Sequence, residues 1–272
     1  MTPRVDIAIV SFNTREDLGR CLASIFQRRS RVMGRVMVVD NASTDGSQAH
    51  VSTTWPSVEL FALPENVGFA AANNVAIRSS NADYVLLLNS DTELDGADLD
   101  TLVERLEATG AVAAGPLLHD AEGRPEVSHG PMLTPLGELR QMLRVKLAAG
   151  RGVIGRFVVG QLTGRERFVD WVSGGCLLVR RDEAVAAGLL DERYFLYEED
   201  VDFCAALRAR GGVVLYTPRA RVLHRRGTSV RQSRLPSTLH YDRSHLAFYQ
   251  KHRPGWVPLL RLWMRVRGRN VR

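Results

Sequence analysis

Five polar clusters, each following an apolar or aromatic run, carry the groups of this chain best able to do chemistry. Asp40-Asn41-Ala42-Ser43-Thr44-Asp45-Gly46 offers carboxylates and amides that can hydrogen-bond a base or ribose, and that can equally cap the next helix. Asn66-Val67-Gly68 sets an amide beside a glycine, which either lets the backbone approach a ligand closely or makes a plain turn. Asn89-Ser90-Asp91 ends the run Tyr84-Val85-Leu86-Leu87-Leu88. One carboxylate there suits Mg2+ or Mn2+, bound through few carboxylates with substrate phosphates and water completing the shell. Glu198-Glu199-Asp200-Val201-Asp202 follows Tyr194-Phe195-Leu196-Tyr197. Crowded carboxylates beside aromatic rings raise a pKa toward neutrality, as a general base requires. An acidic first turn also stabilises a helix by itself. His224-Arg225-Arg226-Gly227 joins an imidazole, a possible metal ligand, to two guanidiniums suited to a diphosphate.

The elements that position these clusters follow from the hydropathy pattern. Val5–Val10, Val36–Val39, Val58–Leu63, Tyr84–Leu88 and Ala111–Leu118 read as strands. The short run at Tyr84–Leu88 fits a strand buried on both faces. Between the strands lie helical segments: one capped by Asp17 and running to about Arg28, Ala70–Arg78, and Asp98–Thr109 with Leu99, Leu102, Val103 and Leu106 on one stripe. Strands alternating with helices predict a parallel α/β sheet, and ligands bind beyond the carboxyl ends of such strands. The first four strands end in Ser11-Phe12-Asn13 and in the clusters at Asp40, Asn66 and Asn89, so four sets of ligand groups gather at one edge. Further on, the pattern predicts one strand over Trp171–Val179 broken by Gly174-Gly175, helices over Asp182–Leu190 and Glu199–Arg210, and short strands at Val213–Tyr216 and Arg221–His224.

The 272 residues carry a formal charge of +6, with 45% hydrophobic and 24% charged residues, values ordinary for a folded domain. The excess positive charge sits late. No acidic residue follows Asp242, whereas Arg261, Arg265, Arg267, Arg269 and Arg272 alternate with Leu259, Leu260, Leu262 and Trp263. That mixture, and the basic amphipathic segment 132–160, suit an anionic membrane surface; a solvated surface helix and tail have the same composition. The start of the chain runs directly into a strand and no apolar run nears the roughly 18 residues needed to span a bilayer, so a cytoplasmic protein, at most peripheral on the inner face of the membrane, is expected. Cys21, Cys176 and Cys204 have neither disulfide nor zinc spacing and are expected to be buried thiols. Dinucleotide, P-loop, nucleophile-elbow and zinc-protease motifs are absent. The basic residues lack the aromatic interleaving of a nucleic-acid binder.

In order and spacing, Ile9-Val10-Ser11-Phe12-Asn13, Val38 to Gly46, Glu65 to Ala70, Leu88 to Asp91, Trp171 to Gly175 and Glu199 to Asp202 resemble family 2 glycosyltransferases of the GT-A fold over roughly residues 4 to 230. The likeness is to the bacterial rhamnosyltransferase branch. It implies a mostly parallel, Rossmann-like central sheet flanked by helices: a nucleotide-sugar half over 1–118, an acceptor-side half over 119–230, and a basic helical extension over 231–272. It implies that Ser11, Phe12, Asn13, Asp40, Asn41, Asn66, Gly68, Asn73, Asn89, Ser90, Gly174 and Gly175 surround the nucleotide sugar, with Asp40 on the base. Asp91 would be the main protein ligand of the metal, because an asparagine stands at the first position of the family's Asp-x-Asp motif. His224 would complete that site, Arg225 and Arg226 would meet the diphosphate, and Asp200 of the Glu199-Asp200 pair would be the base.

The resemblance further implies an inverting transfer of one sugar, rhamnose among the candidates, from a dTDP- or UDP-linked donor to a saccharide or polyprenyl-diphosphate-linked acceptor in cell-envelope polysaccharide synthesis, and it leaves room for a homodimer. The Gln-x-x-Arg-Trp motif of processive polymerases is absent. A sugar nucleotidyltransferase and an inactive nucleotide-sugar-binding protein are the rival readings.

Overall fold

The computed structural model describes residues 3–148, 153–225 and 237–269. In chain order the strands are β1 (Val5–Ser11), β2 (Met33–Asp40), β3 (Glu59–Ala62), β4 (Tyr84–Asn89), β5 (Thr92–Glu93), β6 (Ala113–His119), β7 (His129–Gly130), β8 (Arg167–Val169), β9 (Trp171–Val172), β10 (Cys176–Arg180) and β11 (Val214–His224). The helices are α1 (Arg15–Gln27), α2 (Ser47–Thr54), α3 (Phe69–Ser79), α4 (Gly96–Thr109), α5 (Pro135–Ala148), α6 (Val153–Thr163), α7 (Arg181–Ala186), α8 (Glu199–Ala209), α9 (Ser237–His252) and α10 (Val257–Val266).

The main sheet runs β3-β2-β1-β4-β10-β6-β11-β5, with β8 also paired to β11. From β3 to β4 the strands are parallel. β10 lies antiparallel between β4 and β6, and β11 returns parallel to β6. The sheet is thus mostly parallel with an antiparallel insertion. Alternation along the strands explains the double burial of β4. Leu86 and Leu88 face a core shared with Leu18, Leu22 and Leu102 of α1 and α4, while Val85 and Leu87 face one shared with Ala72, Ala76 and Phe203 of α3 and α8. The three thiols are buried and free, and burial pushes those of Cys21 and Cys204 up to about 12.

Four local expectations change. The α1 helix begins at Arg15, with Thr14 at the cap position, so Asp17 lies inside the first turn, paired with Arg20. Trp171–Val179 is not one strand: β9 pairs with β7 in a separate two-stranded sheet, and β10 joins the main one. Gly174 and Gly175 separate them because their backbone groups are spoken for by other segments, as described below. The two late strands fuse into β11, whose register shifts between Thr217 and Arg221, around Pro218. The basic segment 132–160 holds two helices, α5 and the start of α6.

Sheet and site meet at Gly68. Its φ is +88°, and a Cβ there would lie 2.7 Å from the Phe195 carbonyl oxygen. The Phe69 N–H donates to that same oxygen at 2.7 Å. Gly68→Ala therefore combines a strained φ with overpacking against backbone, and should cost about 2–4 kcal/mol in urea denaturation. Unchanged stability would contradict this packing.

Candidate active site

The carboxyl ends of β1, β2 and β4 place Ser11, Asp40 and Asn89 along one edge of the sheet. A chain of hydroxyls knits that edge together: Ser11 Oγ lies 2.9 Å from Thr14 Oγ1, which donates to Ser90 Oγ at 2.9 Å. Asn41 staples the neighbouring turn, donating from Nδ2 to the Gly68 carbonyl at 3.2 Å and accepting at Oδ1 from the Val67 N–H at 2.9 Å. Asn66 accepts from the Gly68 N–H at 3.0 Å. Asn13, at φ +53°, accepts from the Thr44 N–H at 2.7 Å and receives Ser43 Oγ on its own N–H at 2.8 Å.

Beyond this edge lies a cavity of about 500 Å³. Phe12, Asn41, Asn66, Gly68, Asn89, Ser90, Asp91, Gly174, Gly175, Glu199, Asp200 and His224 all line it. The sequence reading placed each of these in the site, and the fold brings them together from across the chain. Ser11, Asn13, Asp40 and Asn73 do not line it. Asp40 is fully buried. Its Oδ1 accepts from the Ser43 N–H and Gln48 Nε2 at 2.8 and 2.7 Å, while its Oδ2 has no partner among the described residues. Asn73 Oδ1 and Asn89 Oδ1 are unmatched in the same way. Buried acceptors without donors are costly, and Asn89 Oδ1 belongs to a residue of the cavity wall. Arg225 turns elsewhere: its Nε donates to Glu93 at 2.7 Å and its backbone N–H to the Asp91 carbonyl at 2.9 Å. Arg226 lies outside the described residues.

On one side of the cavity, His224 Nε2 stands 3.4 Å from Asp91 Oδ1, and His224 Nδ1 stands 3.3 Å from Glu126 Oε2. Burial acts to lower the His224 pKa, but hydrogen bonds to Asp91 and Glu126 outweigh it and raise it to about 9. Glu126 occupies the position from which a carboxylate orients a metal-bound imidazole, holding one ring nitrogen so that the other faces the ion. Among the described residues no cluster of three or more metal-ligating side chains forms. One carboxylate and one oriented imidazole fit an ion whose remaining ligands come from substrate oxygens and water.

On the other side stands the N-terminus of α8. Tyr197 and Glu198 just before it take left-handed φ values of +72° and +63°, a strain of the kind that concentrates at functional sites. The strained turn is clamped from α9: Ser244 Oγ donates to the Leu196 carbonyl at 2.8 Å, and His245 Nδ1 lies 2.7 Å from Glu198 Oε1. Asp200 then accepts the Gly174 N–H on Oδ2 and the Val201 N–H on Oδ1, both at 2.8 Å. Burial raises the Asp200 pKa, and these two donors work against it. Glu199 is raised well above the ordinary range by burial and by the Asp200 charge, and its Oε2 has no described partner. The two backbone donors favour the charged form of Asp200.

Gly174-Gly175 acts through its amide rather than through empty space. A Cβ on Gly174 would meet Asp200 and Phe69 at 3.4 and 3.5 Å, ordinary contact distances. The Gly174 N–H holds Asp200, and the Gly175 carbonyl accepts from the Asn89 N–H at 3.0 Å. Thr14, Glu126 and His245 had no signal in the sequence. Each is a lone polar residue made functional by a partner distant in the chain.

Residues 6–171 match the family model for Glycosyl transferase family 2. The chain belongs to this family. It is 29% identical, over 97% of its own length and 90% of the relative's, to an N-acetylglucosaminyl-diphospho-decaprenol L-rhamnosyltransferase of Mycobacterium tuberculosis. Rhamnosyltransferase WbbL of Escherichia coli is 25% identical over 58% of this chain and 60% of WbbL. Two solved structures share the fold, GalNAc-T7 with UDP, GalNAc and Mn2+ (TM-score 0.63, 17% identity, 90% of this chain and 48% of that one), and the mannosyltransferase PcManGT of Pyrobaculum calidifontis with GDP-Man and Mn2+ (TM-score 0.59, 17% identity, 96% and 68%). The chain thus spans about half of GalNAc-T7. The glycosyltransferase has the GT-A architecture, a mostly parallel sheet flanked by helices.

A site with Asp91 and His224 as its two ligands among the described residues should bind Mn2+ weakly alone and clearly with a nucleoside diphosphate present, as read by calorimetry. Glu126→Gln should weaken the second binding about 10- to 100-fold. Tight binding by the free protein would contradict the two-ligand arrangement.

Proposed function

We propose that this glycosyltransferase moves one sugar from a nucleoside diphosphate sugar to a lipid-linked saccharide by a single inverting displacement, with Asp200 as the base. The observation that carries this is the placement of Asp200. Its carboxylate is held by two backbone donors in the wall of the cavity that also contains Asp91 and His224. The M. tuberculosis relative's name supports rhamnose as the sugar and a diphosphate-linked polyprenol carrying N-acetylglucosamine as the acceptor.

Asp40 Oδ2 is an unpartnered acceptor that matches the imide N–H of a uracil or thymine base, and this role with a UDP- or dTDP-linked donor requires the buried Asp40 turn to open to the cavity. Asn41 and Asn66 keep the Val67-Gly68 backbone where the nucleotide passes. Asp91 and His224 would hold Mg2+ or Mn2+, which when bound supplies positive charge to the leaving diphosphate. Asp200 takes the proton of the acceptor hydroxyl as that oxygen attacks the anomeric carbon. The bond from that carbon to the diphosphate breaks, and its electron pair leaves with the nucleoside diphosphate. Attack from the face opposite the leaving group inverts the anomeric configuration. Burial and the Asp200 charge both disfavour a second negative charge on Glu199 beside the base. Arg225 is committed to Glu93, so a diphosphate role for it requires that pair to open.

None of the helices among the described residues is long and apolar enough to cross a membrane. Leu259, Leu262, Trp263 and Val266 on α10 are exposed and lie among arginines, which supports action at an anionic membrane surface.

Asp200→Asn should lower transfer about 10²- to 10⁴-fold and leave donor binding, followed by titration with the nucleoside diphosphate, nearly unchanged. Transfer at the wild-type rate would remove Asp200 from the role of base.

A further inference from the structure

A second cavity, of about 830 Å³, runs from Asp200 outward between α5, α9 and α10. It shares Tyr197, Glu198 and Asp200 with the first. Each volume falls in the range of about 300–1,000 Å³ that holds one small molecule. Asp200 is therefore within reach of ligands in both cavities.

The two ends of this groove differ in chemistry. At the Asp200 end it is polar: His245, Glu138 and Tyr249 are linked there, with Tyr249 Oη donating to Glu138 Oε1 at 2.5 Å and His245 Nε2 3.3 Å from Glu138 Oε2. Farther out the walls are apolar. Leu139 and Met142 of α5 and Leu259 and Trp263 of α10 line the groove, each between 43% and 55% exposed. Such a surface is costly to leave in water, and a saccharide or peptide would find few polar partners along it. Arg267 lines the groove beside these walls. Its guanidinium lies 4.2 Å from the Trp263 ring centroid, and no described carboxylate pairs with it.

We propose that this groove binds the isoprenyl diphosphate part of the acceptor, with the hydrocarbon between α5 and α10, the diphosphate at Arg267 and the attacking hydroxyl at Asp200. The proposal rests on Asp200 being the base, because that role makes the molecule reaching it through the groove the acceptor. Charge and apolarity along the walls then set its class.

Trp171, Trp256 and Trp263 line the groove, three of the four tryptophans in the chain; the fourth, Trp55, stacks on Phe26 elsewhere. Titrating the full chain with farnesyl diphosphate should give a saturable change in tryptophan fluorescence, and inorganic diphosphate should give none. Leu259→Asp and Met142→Asp, on α10 and α5 and half exposed, should each weaken farnesyl diphosphate binding at least about tenfold, a loss of about 1.4 kcal/mol. The absence of a saturable change, equal binding by both variants, or equal binding of a straight-chain dodecyl diphosphate would overturn the proposal. Asp200→Asn separates the two readings. Farnesyl diphosphate binding with undiminished transfer in that variant sinks the base and not the groove, whereas lost transfer without farnesyl diphosphate binding to the wild type sinks the groove alone.

Discussion

The hydrogen bond from the Gly174 N–H to Asp200 fixes where the proposed base stands in the cavity wall. It ties the turn between β9 and β10 to the first turn of α8. The same turn is tied to the end of β4 by the Gly175 carbonyl, which accepts from Asn89. The carboxylate proposed as base and the Asn89-Ser90-Asp91 turn are thereby positioned by adjacent residues of a single segment. A carboxylate at that depth is destabilised by desolvation, and only donors aimed at its charged form keep it ionised. Glu199, its neighbour, is raised well above the ordinary carboxylate range by burial and by the Asp200 charge, which outweigh the one backbone donor that works against them.

Around this link the site leaves acceptors unmatched. Asp40 Oδ2, Asn89 Oδ1, Glu198 Oε2 and Glu199 Oε2 are buried without described partners, and Tyr197-Glu198 holds a left-handed backbone. These costs are met by packing elsewhere. Tyr194 and Val201 beside the site are buried against Phe248 and Tyr249 of α9, and Asp202 one turn further on is held by Lys251 and His252 at 2.7 and 2.6 Å. The late helix is thus a structural support for α8.

The legible parts of the chain were those where hydropathy alone decides. β1, β2, β4 and β6 are almost wholly apolar, and Asp91 and His224 end such runs, so their places at the sheet edge could be read directly. The antiparallel entry of β10 could not, because its apolar residues look like those of a parallel strand and only the amide contacts of Gly174 and Gly175 divide it from β9. The role of α9 was hidden for the opposite reason. Its buried face carries His240, Asp242, Ser244 and His245, polar residues that pair inward, so the helix shows no apolar stripe. Thr14 reaches Ser90, and Glu126 reaches His224, across long stretches of sequence.

The pH dependence of kcat/KM for transfer tests the central claim most directly. A base whose pKa is raised by burial is protonated, and inactive, until the pH exceeds that raised value. The acid limb should therefore lie above about pH 4, the ordinary carboxylate range, and it should persist in Glu199→Gln, which places a neutral group at that position. A rate already at its plateau down to about pH 4, or an acid limb that vanishes in Glu199→Gln, would contradict Asp200 as the buried base.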